Sequence, residues 1–219
     1  MLNDGENGAI IQRDKETYAV APHIPCGVVS ADTLRKIADV AEKYNAAAMK
    51  ITSAARIAIV GLKEEDVDKA WADLGMSQGA AVGLCVRSVK ACPGTTFCKR
   101  GKQDSLTVGM KLDEIYHGME LPGKLKIGVS GCANQCAETC IKDIALVGMP
   151  GGWRLLVGGN GGAKARLAVE LAKDLDTDQA LALIQKVIDY YKANANPHQR
   201  IGAMLEKIDF EEFKSIVLG

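Results

Sequence analysis

Two stretches, KACPGTTFCKRG (residues 90–101) and VSGCANQCAETC (residues 129–140), decide how this chain is read. They place four of its 7 cysteines as spaced pairs, Cys92-x5-Cys98 and Cys132-x3-Cys136. Pro93 and Gly94 put a turn inside the first pair, and Asn134 lies inside the second. Both pairs therefore sit in loops beside regular elements, where thiolates from distant parts of the chain can converge. Four thiolates suit an iron–sulfur cube or a tetrahedral zinc. Zinc knuckles use tighter spacings than the five-residue gap between Cys92 and Cys98. Small or apolar neighbours (Ala91, Pro93, Gly94, Gly131, Ala133, Ala137) leave room for a bulkier centre. Buried free thiols are the plain alternative, since cysteine also packs as a small hydrophobe. Spacing alone leaves these readings open.

Composition narrows the setting. The 219 residues, 47% of them hydrophobic, suffice for one large domain or two small ones. Lys+Arg and Asp+Glu both number 27, which argues against a general nucleic-acid binder. No apolar run is long enough to span a membrane, and the first residues lack the pattern of a secretory signal. The expectation is a cytoplasmic chain with reduced thiols, in which an odd number of cysteines points to metal or redox use rather than disulfides.

Outward from the cysteines, the pattern reads as α+β. Residues 1–15 are polar and expected to be loosely ordered. YAVAPHIP alternates like a strand ending at Pro25. Ser30 is a candidate cap for a helix with Leu34, Ile37, Ala38, Ala41 and Tyr44 on its apolar face. AAMKITS and RIAIVGL read as strands, and residues 64–74 as a helix stopped by Gly75. Residues 16–75 thus make one small unit. SQGAAVG (77–83) is a joint, and residues 76–219 make a second unit. There, a helix runs through Leu112, Ile115 and Tyr116, and the strand KLKIGVSG ends at Cys132. DIALVG and WRLLVGG are further strands. GNGGAKAR (159–166) is a glycine-rich turn, and residues 177–192 form an amphipathic helix. Pro197 breaks the chain before a last helical segment.

CPGTTFC with SGCANQCAE resembles the cluster motif of the sirohaem-containing sulfite and nitrite reductases. The likeness extends through KITSAARIAIVGLKEEDVDKAWADLGM, VRSVKACPGTTFCKRGKQDS and LPGKLKIGVSGCANQCAETCIKDIALVG, and covers roughly residues 16–192. The resemblance implies a fold: a ferredoxin-like half-domain followed by an α+β sirohaem/4Fe-4S reductase domain. It implies both cofactors, with Cys92, Cys98, Cys132 and Cys136 as the metal ligands and Cys136 bridging the cluster to the sirohaem iron. It also implies catalytic cations for a small oxyanion at Arg56, Arg87, Lys124 and Lys126. On a strand, Lys124 and Lys126 share one face.

Sirohaem is rich in carboxylates, and burying them requires cations and hydrogen bonds. Lys90, Lys99, Arg100, Lys102, Arg154, Lys164 and Arg166 are the candidates. Asn134 resembles a family position near the cofactor. Gly159 and Asn160 lie in the glycine-rich turn, whose backbone N–H groups could cradle carboxylates. Cys26, Cys85 and Cys140 read as inert buried thiols, and His23, His117 and His198 receive no ligand role.

The implied reaction is six-electron reduction of sulfite to sulfide, with nitrite reduction to ammonia as the alternative. A non-catalytic electron-transfer or regulatory protein is the reading from another class. No flavin or nicotinamide fingerprint is visible, so electrons are expected from an external donor such as ferredoxin or flavodoxin. Larger family members carry two such modules, and a homodimer is one way for a single-module chain to restore the pair.

Overall fold

A computed structural model describes residues 1–219. They form two compact units, Met1–Gly83 and Leu84–Gly219.

The first unit is a four-stranded antiparallel sheet, order β1-β2-β4-β3, built from β1 (Ala9–Ile11), β2 (Tyr18–Val20), β3 (Ala48–Ile51) and β4 (Ile57–Leu62). Two helices, α1 (Ala31–Lys43) and α2 (Glu64–Leu74), pack with it. Ser30 Oγ accepts the Thr33 N–H at 3.1 Å and fixes the start of α1. Gly75, at φ 55°, ends α2 in the left-handed conformation that glycine tolerates. Tyr18, Val20, Ile37, Val40, Ile59, Leu62, Val67 and Leu74 form the core.

Four sequence expectations are revised here. The start of the chain is not loose: Ala9–Ile11 pairs with β2, and Ala9 is fully buried. β2 is shorter than YAVAPHIP because Pro22 and Pro25 cannot extend a ladder. Leu34 is exposed, and Val40 takes its place on the buried face of α1. The unit also runs through the SQGAAVG joint to Gly83. His23 N–H donates to Ser77 O at 2.8 Å and Gly79 N–H to Ala21 O at 2.9 Å, which ties the joint to the sheet.

The second unit is a five-stranded sheet in sequence order: β5 (Val86–Ala91), β6 (Leu125–Ser130), β7 (Ile144–Met149), β8 (Gly152–Val157) and β9 (Val169–Leu175). β5, β6 and β7 are parallel; β8 and β9 return antiparallel. The short α3 (Gly94–Phe97) and α4 (Ser105–Tyr116) make the β5–β6 crossover, and α5 (Thr177–Asn194) follows β9. An Asp176–Gln179 capping box starts α5. Two short helices, α6 (Ile201–Leu205) and α7 (Phe210–Leu218), close the chain. Ile115 on α4 is exposed, unlike Leu112 and Tyr116.

Strand alternation sorts the sheet into two faces. Val89, Leu125, Ile127, Val129, Ile144 and Leu146 are buried on one, where α4 packs. Lys90, Lys126, Gly128 and Ser130 share the other, and Lys90 lies beside Gly128 in the register. The parallel strands β5 and β6 both end at the cysteine loops.

Candidate active site

The two cysteine loops are locked together by backbone contacts. Cys92 N–H donates to Val129 O at 3.0 Å, which continues β5 alongside β6. Cys92 Sγ accepts the Gly131 N–H at 3.1 Å and lies 3.2 Å from Ser105 Oγ. Lys102 and Gln103 both donate their N–H groups to Gly131 O, at 2.7 and 3.1 Å. The first loop folds as a tight turn, Cys98 N–H donating to Gly94 O at 2.8 Å.

Glycine makes this fit possible. A Cβ on Gly131 would lie 2.6 Å from Gly94 Cα, and one on Gly94, at φ 55°, would lie 2.5 Å from Ser105 N. Cys92 and Cys132 are half-buried, whereas Cys98 and Cys136 are exposed. No three His, Cys, Asp or Glu side chains gather closely enough to hold a single metal ion. A cube does not ask for that: each thiolate takes a different iron. The donor set fits such a cluster. It offers four thiols on two interlocked loops and an N–H already directed at one sulfur. Of the remaining cysteines, Cys26 and Cys85 are buried, and Cys140 is half-buried.

A basic group occupies the start of β6 and its surroundings. Lys124 precedes the strand and Lys126 lies on it, both half-buried. Burial lowers the Lys124 pKa first, followed by the positive charges of Arg200 and Arg87. Burial also leads the lowering at Lys126, with Lys124, Lys142 and Arg200 adding repulsion. Arg87 sits where a bulge shifts the register between Val86 and Ser88, a device that re-aims a side chain. Lys142 is buried and crosses Gly128, where a Cβ would lie 2.7 Å from its Cγ. Glu138 accepts from Lys142 at 2.9 Å and pairs with Lys90 at 3.3 Å. These two cations hold its carboxyl below the usual glutamate range, the Lys142 hydrogen bond most strongly.

Beneath the lysines lies a buried ion pair. Arg200 Nε donates to Asp143 Oδ1 at 2.8 Å and Nη2 to Oδ2 at 2.6 Å. Asp143 Oδ2 also accepts the Lys126 N–H at 2.7 Å, and Asp143 is fully buried. Arg200 Nη1 donates to Asn160 Oδ1 in the glycine-rich turn. That turn is closed by paired Asn160 and Arg166 backbones, and Gly162 N–H donates to Asn160 Oδ1 at 3.0 Å. A Cβ on Gly159 would lie 2.5 Å from Lys142 O, so the turn packs directly on the lysine segment.

The other predicted residues have varied surroundings. Arg154 is held by Glu170 at 2.6 Å, and Arg166 pairs with Glu206; both cations already have a carboxylate of the chain itself. Lys99, Arg100, Lys102, Asn134 and Lys164 are exposed. Arg56 belongs to the first unit, where it is buried beside Gly79. Lys142, Asp143 and Arg200 were not singled out from sequence. Asp143 read only as the start of the DIALVG strand, and Arg200 follows the break at Pro197.

Comparison with known proteins agrees with this architecture. Two family models match: the nitrite/sulfite reductase ferredoxin-like half domain over residues 10–77, and the nitrite and sulphite reductase 4Fe-4S domain over residues 82–219. An assimilatory-type sulfite reductase of Nitratidesulfovibrio vulgaris is 44% identical over 218 residues, covering 100% of both chains. A nitrite reductase (NAD(P)H) of Bacillus subtilis is 41% identical over 95% of this chain, which spans 26% of that larger protein. Among solved structures, dissimilatory sulfite reductase I superposes with TM-score 0.82 at 14% identity, over 92% of this chain and 69% of that one. The NirA protein of Mycobacterium tuberculosis gives 0.80 at 18% identity, over 92% and 39%. These two show likeness of fold, while the sequence matches reach further: the chain belongs to the nitrite and sulphite reductase family.

Proposed function

We propose that this chain is a sulfite reductase, carrying out the six-electron reduction of sulfite to sulfide with electrons from a separate donor protein. The carrying observation is the cationic group Lys124, Lys126, Lys142 and Arg200, set in the same unit as the four-cysteine frame. Similarity along the whole of an assimilatory-type sulfite reductase supports sulfite as the anion. The family's cofactors are a 4Fe-4S cluster and sirohaem, and Cys92, Cys98, Cys132 and Cys136 are the ligands we assign to the cluster. Lys90, Lys99, Arg100, Lys102, Asn134, Lys164 and the turn at Gly159 and Asn160 are those we assign to the sirohaem carboxylates. When bound, these groups would pass the donor's electrons to the anion.

The protein's part is charge and protons. A sulfite oxygen leaves as water only after gaining two protons, and an ammonium close to it supplies both attraction and a proton. Burial makes the Lys124 and Lys126 ammonium groups more acidic than an exposed lysine, hence better proton donors. Arg87 brings a planar guanidinium that can pair two oxygens of the anion and serves as an anchor.

Nitrite is the second reading, favoured by the 41% identity to a nitrite reductase, and the same cations would hold it. Steady-state assays of the holoprotein with a reduced dye, sulfite against nitrite, test both. Higher kcat/KM for sulfite is expected. No turnover of either anion with both cofactors bound would overturn the enzyme reading in favour of a non-catalytic electron carrier.

A further inference from the structure

Asp143 is the one fully buried carboxylate within a group of cations, and the proposed chemistry gives it no task. Its surroundings define one. From the segment preceding α6, Arg200 grips both carboxylate oxygens. From β6, the Lys126 N–H donates to Oδ2, and Asp143 N–H returns the contact to Lys126 O at 3.1 Å. The remaining Arg200 nitrogen reaches Asn160 on the glycine-rich turn. The segment carrying Arg200 is itself pinned. His198 N–H donates to Pro122 O at 2.7 Å, and Tyr191 Oη donates to Gln199 O at 2.5 Å.

We propose that Asp143 is a positioning residue for the oxyanion site. Through Arg200 it fixes the lysine strand against the glycine-rich turn, and its negative charge offsets Arg200 so that Lys124 and Lys126 remain charged. The task assigned to the lysines rests on the sulfite-reductase reading; the electrostatic part does not.

The charges facing Lys124 and Lys126 come from several elements: Arg87 on β5, Lys142 and Asp143 ahead of β7, and Arg200 ahead of α6. Tyr191 on α5 also faces Asp143, and its pKa is pushed up to about 12, mainly by burial. Burial pushes the Asp143 carboxyl above the ordinary aspartate range, against the hydrogen bonds and charge of Arg200, yet all three of its side-chain contacts come from N–H donors, as a carboxylate requires. Lys142 has a carboxylate of its own in Glu138, so removing Asp143 leaves Arg200, Lys124 and Lys126 as the unbalanced cations. Removing Asp143 and Arg200 together takes away one charge of each sign and leaves the lysines near their original balance.

The test compares Asp143→Asn with the double variant Asp143→Asn/Arg200→Gln. Asparagine keeps an oxygen for the Lys126 N–H and is close in shape. Two measurements are made on the full-length chain. The first is trace acylation of Lys124 and Lys126 against pH, read by mass spectrometry, which needs no turnover. The second is the pH profile of sulfite reduction by the holoenzyme. In Asp143→Asn, half-maximal acylation and the alkaline limb both move to lower pH. Well above the wild-type midpoint the rate falls roughly threefold, as a shift of about half a unit gives. In the double variant the acylation midpoint and the alkaline limb return toward wild type, while the broken clamp and the lost Arg200 charge lower the rate at every pH. A merely structural Asp143 would lower the rate without moving the midpoint or the limb in either variant. Unmoved acylation in Asp143→Asn, or an equal shift in the double variant, overturns the proposal. Acylation shifts without any sulfite turnover would uphold the charge balance and reject the sulfite-reductase reading.

Discussion

Gly131→Ala tests how the cysteine frame is held. The added Cβ would lie 2.6 Å from Gly94 Cα, 2.8 Å from Gln103 O and 3.0 Å from Ser105 Oγ. Two of these neighbours are backbone, so no side-chain rotation relieves the clash, and the loops must separate. Overpacking of this kind destabilises by about 1–3 kcal/mol. At about 2–4 °C per kcal/mol for a domain of this size, the melting midpoint should fall by about 2–12 °C. Separation also weakens the Gly131 N–H bond to Cys92 Sγ, so iron content should fall with the midpoint. The assay is thermal melting together with iron per chain after cluster reconstitution. Gly151→Ala is the control, since its nearest neighbour would be 3.4 Å away. If Gly131→Ala melts with wild type and holds full iron, the loops are not locked through Gly131, and the account of the frame fails.

Other perturbations probe the same site. Cys136→Ser should lose most of its iron and cluster absorption, and unchanged iron would remove Cys136 from the ligand set. The lowered pKa of Lys124 and Lys126 places the alkaline limb of sulfite reduction below the free-lysine value of about 10.4; a limb at or above that value would separate these lysines from the rate. Glu138 has a folded pKa below its unfolded one, so its contribution is present above the unfolded value, about 4.3, and is lost as pH falls through the folded one. Glu138→Gln should therefore lower the melting midpoint at pH 7 but not at strongly acid pH, and an equal difference at both would contradict the ion-pair account.

Much of this arrangement was legible in the residues because local rules write it. Ser30 and Gly75 marked helix ends through their own hydrogen bonding and backbone freedom. The β6 strand and its cysteine were visible as an apolar run meeting a turn. β5 and β9 were not, because VRSVKA and VELAKDL carry charges within the strand and lack a continuous apolar signal. Edge positions in the sheet allow this. The site divides the same way. Lys124 and Lys126 were pointed to by the family resemblance, whereas Arg200 is 57 residues from the Asp143 it grips. No local pattern records that pairing; it exists only once residues 198 and 199 are bound to Pro122 and Tyr191.

The interlock between Cys92 and Gly131 spans 39 residues of chain and runs through a parallel crossover. That sets an order of events in maturation. Parallel strands cannot meet through a tight hairpin; the connecting helix must form and fold back before the second loop reaches the first. Until β5 and β6 have paired, the nascent chain presents its thiols as two separate pairs, neither able to encage a cube. With the proposed four cysteines as ligands, iron and sulfide delivery is expected to follow the pairing of β5 and β6. A variant that slows this crossover would accumulate as cluster-free protein even if every ligand were intact.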